Sequence, residues 1–215
     1  MKCYFIRHGK TLWNQEGRFQ GSTEDSPLLD DAKEEIRQLG QALSHIPFDA
    51  VYSSDQKRAV DTTHIIVDEA GIDADVIYTD KLREWKLGKL EGAKITTMSA
   101  IYPTQISAFH HNLAKFNTSQ FDAESTYQTT QRVAELIHSL KDSDYENVLI
   151  VGHGANLTAS IRHLLGFEPA LFRSLGGLAN ASLTILETMD FNHFECLKWN
   201  DKSYLEDTHV LSHKT

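Results

Sequence analysis

Cysteine is nearly absent: Cys3 and Cys196 are the only two in 215 residues, far apart and without any Cys-x-x-Cys or Cys/His spacing. That excludes a disulfide framework and gives no zinc site, and both thiols are expected to be buried and reduced. No apolar run approaches the roughly 18 residues that a membrane span needs, which removes membrane insertion. The opening apolar run is short and meets Arg7, His8 and Lys10, so it does not read as a signal peptide and a cytoplasmic location is expected. Basic clusters are lacking as well. With 21 basic against 30 acidic side chains, a net charge of -9 and no concentrated basic segment, the chain offers nothing for nucleic acid or an anionic membrane. An anionic ligand would need a locally positive pocket. Internal repeats and low-complexity stretches are also missing.

What is present is ordinary in composition. Hydrophobic residues make up 40% and charged residues 24%, and the length suits one large domain or one domain with an insertion. Lys2–Ile6 is a short apolar run that stops at Arg7-His8-Gly9, as a buried strand followed by a loop would. From Asp30 to Ile46 apolar residues recur at helical spacing until Pro47. A second strand follows at 49–53, a helix capped by Ser54 or Asp55 runs to about Ala70 and Gly71, and 76–79 reads as a third strand. From about 82 to 121 the pattern is irregular, interrupted by Gly88, Gly92 and Pro103, and it suggests an inserted lid rather than core. Val133, Leu136, Ile137 and Leu140 then mark a helix face, and 147–151 a strand buried on both sides. A helix at about 156–165 and an antiparallel pair at 181–187 and 194–199 complete the string.

This alternation predicts an α/β three-layer sandwich, with a mostly parallel central sheet, an antiparallel edge and helices on both faces. Ligands of such sheets bind outside the carboxyl ends of the strands, and His8 and His153 each fall just there. After Arg7-His8-Gly9, the segment Thr11-Leu-Trp-Asn14 and then Arg18-Phe-Gln20-Gly21 concentrates amide, hydroxyl and glycine groups suited to phosphate oxygens.

The run Arg7-His8-Gly9-Lys10-Thr11-Leu12-Trp13-Asn14 resembles the signature of the histidine phosphatase superfamily, whose fold is phosphoglycerate mutase-like. Three further segments are similar to that family's motifs in its order: Ser53–Ala59 with Arg58, Leu82-Arg83-Glu84 with Gly88–Gly92, and Val151-Gly152-His153-Gly154. Ala123-Glu124-Ser125 is a weaker match. Together they imply a single histidine phosphatase domain over 1–215 with a lid-like segment at about 85–125. The resemblance also implies that Arg7, Asn14, Arg58 and His153 bind a phosphoryl group, with Gln20 and Gly21 near it and Thr11 and Gly154 in the same cradle. Lys10, Ala32, Leu90 and Gly152 depart from the family's usual residues, and none of them removes a catalytic group.

The residue types carry the chemistry by themselves. A neutral imidazole is a nucleophile, and a phosphohistidine on His8 would split one phosphoryl transfer into two easier steps. Cations such as Arg7 and Arg58 disfavour a protonated ring beside them. Two guanidinium groups can hold three equatorial oxygens by paired hydrogen bonds, so no metal and no cofactor are expected. His153 would donate to the transferring group, and Glu84 would protonate the leaving oxygen and then activate water, with Asp80 and Glu91 as rival acids. His110-His111 have no third ligand at useful spacing and read as surface or lid residues, while Trp85 and Tyr102 either line the pocket or pack the lid.

The expected function is hydrolysis of a small phosphorylated metabolite. Two rivals remain: a mutase that returns the phosphoryl group to another hydroxyl, and a non-catalytic phospho-ligand binding domain. The insert lacks the paired arginines that a mutase of this family would use for a bisphosphorylated cofactor. Substrate identity and oligomeric state are left open by the sequence.

Overall fold

In the computed structural model, which describes residues 1–205, β1 (Lys2–Arg7) lies inside a six-stranded sheet. Its Cys3 and Phe5 join one apolar cluster and its Tyr4 and Ile6 another, because a strand covered by helices on both faces must be apolar on both. Two helices lie along the chain between β1 and β2 (Ala50–Ser54): the four-residue α1 (Leu12–Gln15) and α2 (Asp30–Leu43). Then come α3 (Lys57–Ala70), β3 (Val76–Thr79), α4 (Ile95–Ile101), α5 (Pro103–His111), α6 (Thr126–Ser139), β4 (Asn147–Gly152) and α7 (Gly154–Leu164). The sheet ends with β5 (Leu183–Thr188) and β6 (Phe194–Asp201).

Strand order is β3-β2-β4-β1-β5-β6; the first four are mutually parallel, β5 runs antiparallel to β1, and β6 antiparallel to β5. Ile36, Leu39 and Leu43 of α2 and Ala59 and Ile66 of α3 cover the face bearing Tyr4 and Ile6. Val133 and Ile137 of α6 and Leu157 and Ile161 of α7 cover the face bearing Cys3 and Phe5. The chain leaves β1 toward one face and β4 toward the other, so a crevice opens between the carboxyl ends of these two neighbours. That is the three-layer α/β arrangement expected from the sequence.

Four details differ from expectation. α2 stops at Leu43, before Pro47, because the Ser44 hydroxyl donates to the Gln41 carbonyl and closes the turn. α3 is not capped by Ser54 or Asp55: Gln56 is the N-cap, Ser54 turns its hydroxyl to His153, and Asp55 pairs with Arg83. Cys196 is only half-buried, since β6 is an edge strand. The segment expected as a lid is a packed lobe with its own apolar centre, in which Trp85, Leu90, Ile106, Phe109, Phe116 and Phe121 are buried with Phe19 and Phe172. Trp85 is fully enclosed, edge-on to Phe109 and Phe116, and its indole N–H donates to the Glu124 carbonyl at 2.6 Å. Pro103 does break the helical pattern: α4 ends at Ile101, and Pro103 opens α5 in its first turn, where its missing N–H costs nothing.

Candidate active site

Register places the two histidines side by side. Arg7 at the end of β1 pairs with Gly152 at the end of β4, so the next residue of each strand, His8 and His153, emerges at the same level. Their ring centroids lie 5.2 Å apart at 60°. The His8 amide donates to the Gly152 carbonyl at 2.9 Å and fixes that loop to β4.

Nδ1 of His8 lies 2.7 Å from the Gly9 carbonyl. A carbonyl can only accept, so Nδ1 carries the hydrogen, and in the neutral ring Nε2 keeps its lone pair. The ring is buried, and burial first, then the charges of Arg58 and Arg7, hold its pKa well below the ordinary histidine value, against the pull of the Gly9 carbonyl. Burial and these charges both favour the neutral imidazole of His8 over its protonated form. His153 is displaced in the same direction by burial and then by Arg58, His8, Arg132 and Arg7. Its Nε2 is 2.8 Å from the Ser54 hydroxyl, and its buried Nδ1 has no hydrogen-bond partner.

Arg7 spends Nη1 on the Leu178 carbonyl, and its Nε is buried without a partner. Gly154 makes room for it: a Cβ there would stand 2.8 Å from the guanidinium carbon. Arg58 is wholly buried and donates to the carbonyls of Gly21 and Glu24 and to the Asp25 carboxylate, again leaving Nε unpartnered. Buried donors without partners are rare in folded proteins. Three of them here, on Arg7, Arg58 and His153, suit a multiply charged oxyanion.

Thr11 caps α1, accepting from the Asn14 amide and donating to Gln20, and Asn14 returns a capping-box bond to the Thr11 amide. Asn14 Oδ1 also accepts from Asn180, which leaves its Nδ2 as the donor for a ligand. The Glu84 carboxylate is buried at the N-terminus of α7: Oε1 accepts from the Trp85 and Asn156 amides at 2.7 Å each, and Oε2 from Ala155 at 2.9 Å. Helix α7 begins two residues earlier than the sequence suggests, so its free first-turn amides point at this acid. The rival acids stand elsewhere. Asp80 is exposed, and Glu91 binds the amides of Ser22, Thr23 and Leu87.

Arg7, His8, Asn14, Gln20, Glu84 and Gly154 line a pocket of about 250 Å³. Thr11, Gly21, Arg58 and His153, expected in the site, are not among its lining residues. A larger groove of about 400 Å³ reaches Glu84 between Arg83, Lys86 and Arg132 and contains neither histidine. Among the described residues no three His, Cys, Asp or Glu side chains are grouped to hold a metal ion. His111 is exposed, but His110 is not a mere surface residue: it lines the pocket beside Phe19 and Phe109, because α5 leans on the site. Arg173, Asn180 and Ser54 complete the site without having been singled out by sequence. Arg173 and Asn180 belong to a stretch whose motif match is only a pattern, and Ser54 reads as a helix cap.

Fold and site together define an α/β protein in which two buried histidines and a set of buried arginines meet at the carboxyl ends of the central strands. The family model of the histidine phosphatase superfamily (branch 1) matches residues 3–202, and the chain belongs to that superfamily. It is similar to phosphoglycerate mutase-like protein 4 of Arabidopsis thaliana, 29% identical over 208 residues that cover 96% of this chain and 87% of that one. Among solved structures it resembles Bacillus stearothermophilus YhfR, with a TM-score of 0.86, 27% identity and coverage of 95% and 98% of the two chains. It also resembles a mycobacterial glucosyl-3-phosphoglycerate phosphatase complexed with VO3, with a TM-score of 0.83, 26% identity and coverage of 93% and 98%. Among the described residues no helix is long and apolar enough to cross a membrane.

Proposed function

We propose that this protein is a metal-independent phosphomonoesterase that hydrolyses a small phosphorylated metabolite through a phosphohistidine on His8. The observation that carries the reading is the His8 ring, neutral by burial and with its Nδ1 hydrogen spent on Gly9, beside buried guanidinium and imidazole donors that lack partners. Nε2 of His8 attacks phosphorus and the ester oxygen departs with a proton from Glu84. In the second step Glu84 takes a proton from water, which attacks phosphorus and releases inorganic phosphate and neutral His8. Oε1 spends both lone pairs on the Trp85 and Asn156 amides, whereas Oε2 accepts only from Ala155 and keeps a lone pair for this exchange. Arg7, Arg58 and His153 spread the charge of the equatorial oxygens, the task a metal performs in other phosphoryl transfers.

The pocket, about 250 Å³ and so just below the roughly 300–1,000 Å³ usual for ligand sites, suits a small metabolite rather than a macromolecule. The net charge of -9 gives nucleic acid and anionic membranes no electrostatic footing. Mutase transfer uses the same intermediate, and relatives bearing that name keep it as an outcome of the test. Absence of any arginine between Glu84 and Arg132 favours water as the acceptor. The test compares wild type with His8→Ala on an aryl phosphate in excess chelator from mildly acidic to neutral pH, with a search for an acid-labile phosphoenzyme. Chelator-resistant turnover and label, both lost in the variant, are expected. Label without hydrolysis would favour the mutase, and neither label nor turnover would leave only a binding domain.

A further inference from the structure

We propose that Arg173 forms a second anion subsite in the pocket, which selects phosphomonoesters carrying a second acidic group on the part of the molecule away from the phosphoryl group. This rests on the phosphatase reading for the position of the phosphoryl group.

Arg173 follows the short turn Pro169–Leu171 and lines the same pocket as Arg7, His8 and Glu84. The residue is 8% exposed, yet Nε and Nη2 of its guanidinium are buried without a partner. A buried charge without compensation is costly and is rarely kept unless a ligand completes it. The other buried arginines have work inside the protein. Arg58 binds two carbonyls and Asp25, and Arg162 binds the Leu171 carbonyl and Ser174 while lying 3.5 Å over the Phe167 ring. Arg173 has the Phe109 ring, 5.2 Å from its guanidinium carbon, and the attraction of Glu84, but among the described residues no hydrogen-bond partner for Nε or Nη2. With 30 acidic side chains in the sequence, none forms an ion pair with it among the described residues.

The space around the guanidinium is shaped for it. A Cβ on Gly177 would come within 3.1 Å of Nη1, so a glycine keeps the group in place without crowding. Burial lowers its pKa to about 10, which still leaves it charged at neutral pH. It lies against Phe109, beside His110 of α5, and feels the Glu84 carboxylate, so it stands on the side of the pocket where the proposed leaving oxygen meets its acid. A phosphoryl group held at His8, Arg7 and Arg58 therefore presents the rest of the molecule toward Arg173, Phe109 and His110. The complementary group is a carboxylate or a second phosphate, since a planar guanidinium pairs with either.

The test measures selectivity within matched pairs: glycerol phosphate against glycerate phosphate, phenyl phosphate against carboxyphenyl phosphate, and propanediol monophosphate against its bisphosphate. The first two pairs read a carboxylate and the third a phosphate. Wild type is expected to prefer the acidic member of at least one pair by roughly ten- to a hundredfold in kcat/KM, mainly through KM. In Arg173→Gln the ratio falls to about one, and Arg173→Lys recovers part of it. The same pairs are titrated calorimetrically onto His8→Ala with and without Arg173→Gln. A binding ratio that collapses with Arg173 in the absence of any turnover would keep the subsite and sink the phosphatase reading. A ratio near one in wild type, or one that survives Arg173→Gln, overturns the subsite, as does a lower ligand-free Tm in Arg173→Gln with selectivity intact.

Discussion

Lowering the pH tests the electrostatic state of the site directly, because the His8 and His153 rings are both buried and both held well below the ordinary histidine value. Each binds a proton in the unfolded chain near pH 6.5 but not in the folded one, so their contribution is complete above that value and is lost as pH falls toward the folded pKa. If the folded values lie below the range scanned, moving from about pH 7.5 to about pH 5.5 removes about 1.4 kcal/mol per histidine, roughly 2.7 for the pair. His110 and His163, partly buried and lowered mainly by burial, add smaller losses of the same sign, so the informative quantity is a difference between variants. His8→Asn is suitable, since an amide N–H can still reach the Gly9 carbonyl. Urea unfolding at several pH values should give a wild-type loss exceeding that of the variant by about 1.4 kcal/mol, about 3–6 °C in Tm for a chain of this size. Parallel losses in the two proteins would refute the neutral-nucleophile argument. Activity should then show no acid limb at pH 6.5 attributable to His8, since the ring stays unprotonated below it.

Three other changes separate the parts of the site. Glu84→Gln should slow hydrolysis of an alkyl phosphate by roughly 100- to 10,000-fold but that of an aryl phosphate far less, because a phenolate leaves without help; equal losses would deny Glu84 the proton-donor role. Gly154→Ala drives a Cβ against Arg7, and steady-state kinetics should find KM raised about tenfold or more, the worth of a charge-assisted hydrogen bond. Trp85→Ala empties the centre of the 85–125 lobe and should cost about 3–5 kcal/mol in chemical denaturation; a loss under 1 kcal/mol would mean that the lobe is a loose lid after all.

Local pattern was legible wherever one residue's neighbours in sequence are also its neighbours in space. The unbroken apolar run in Lys2–Arg7, the αL glycine at Gly71 closing α3 and the two-sided apolarity of β4 all express short-range rules, and each element appears within a few residues of its expected place. The irregular 85–125 segment was not legible. Its apolar residues pack on one another and on Phe19 and Phe172 from distant parts of the chain, so no single period describes them. Ser54 misled for a related reason: a serine before a helix is a good cap, but the ring of His153, 99 positions away, takes its hydroxyl.

By itself the sequence determined the α/β class, the strand-end position of His8 and His153, and the identity of the motif residues, because these depend on residue type and order along the chain. Tertiary structure alone decided that Glu84, rather than Asp80 or Glu91, meets the α7 amides. It alone brought Arg173 and His110 into the pocket and left buried donors without partners. The physical reason is that charge states and spare hydrogen-bonding groups depend on burial and on contacts across long sequence separations, which the packing of sheet, helices and lobe creates and a linear pattern does not contain.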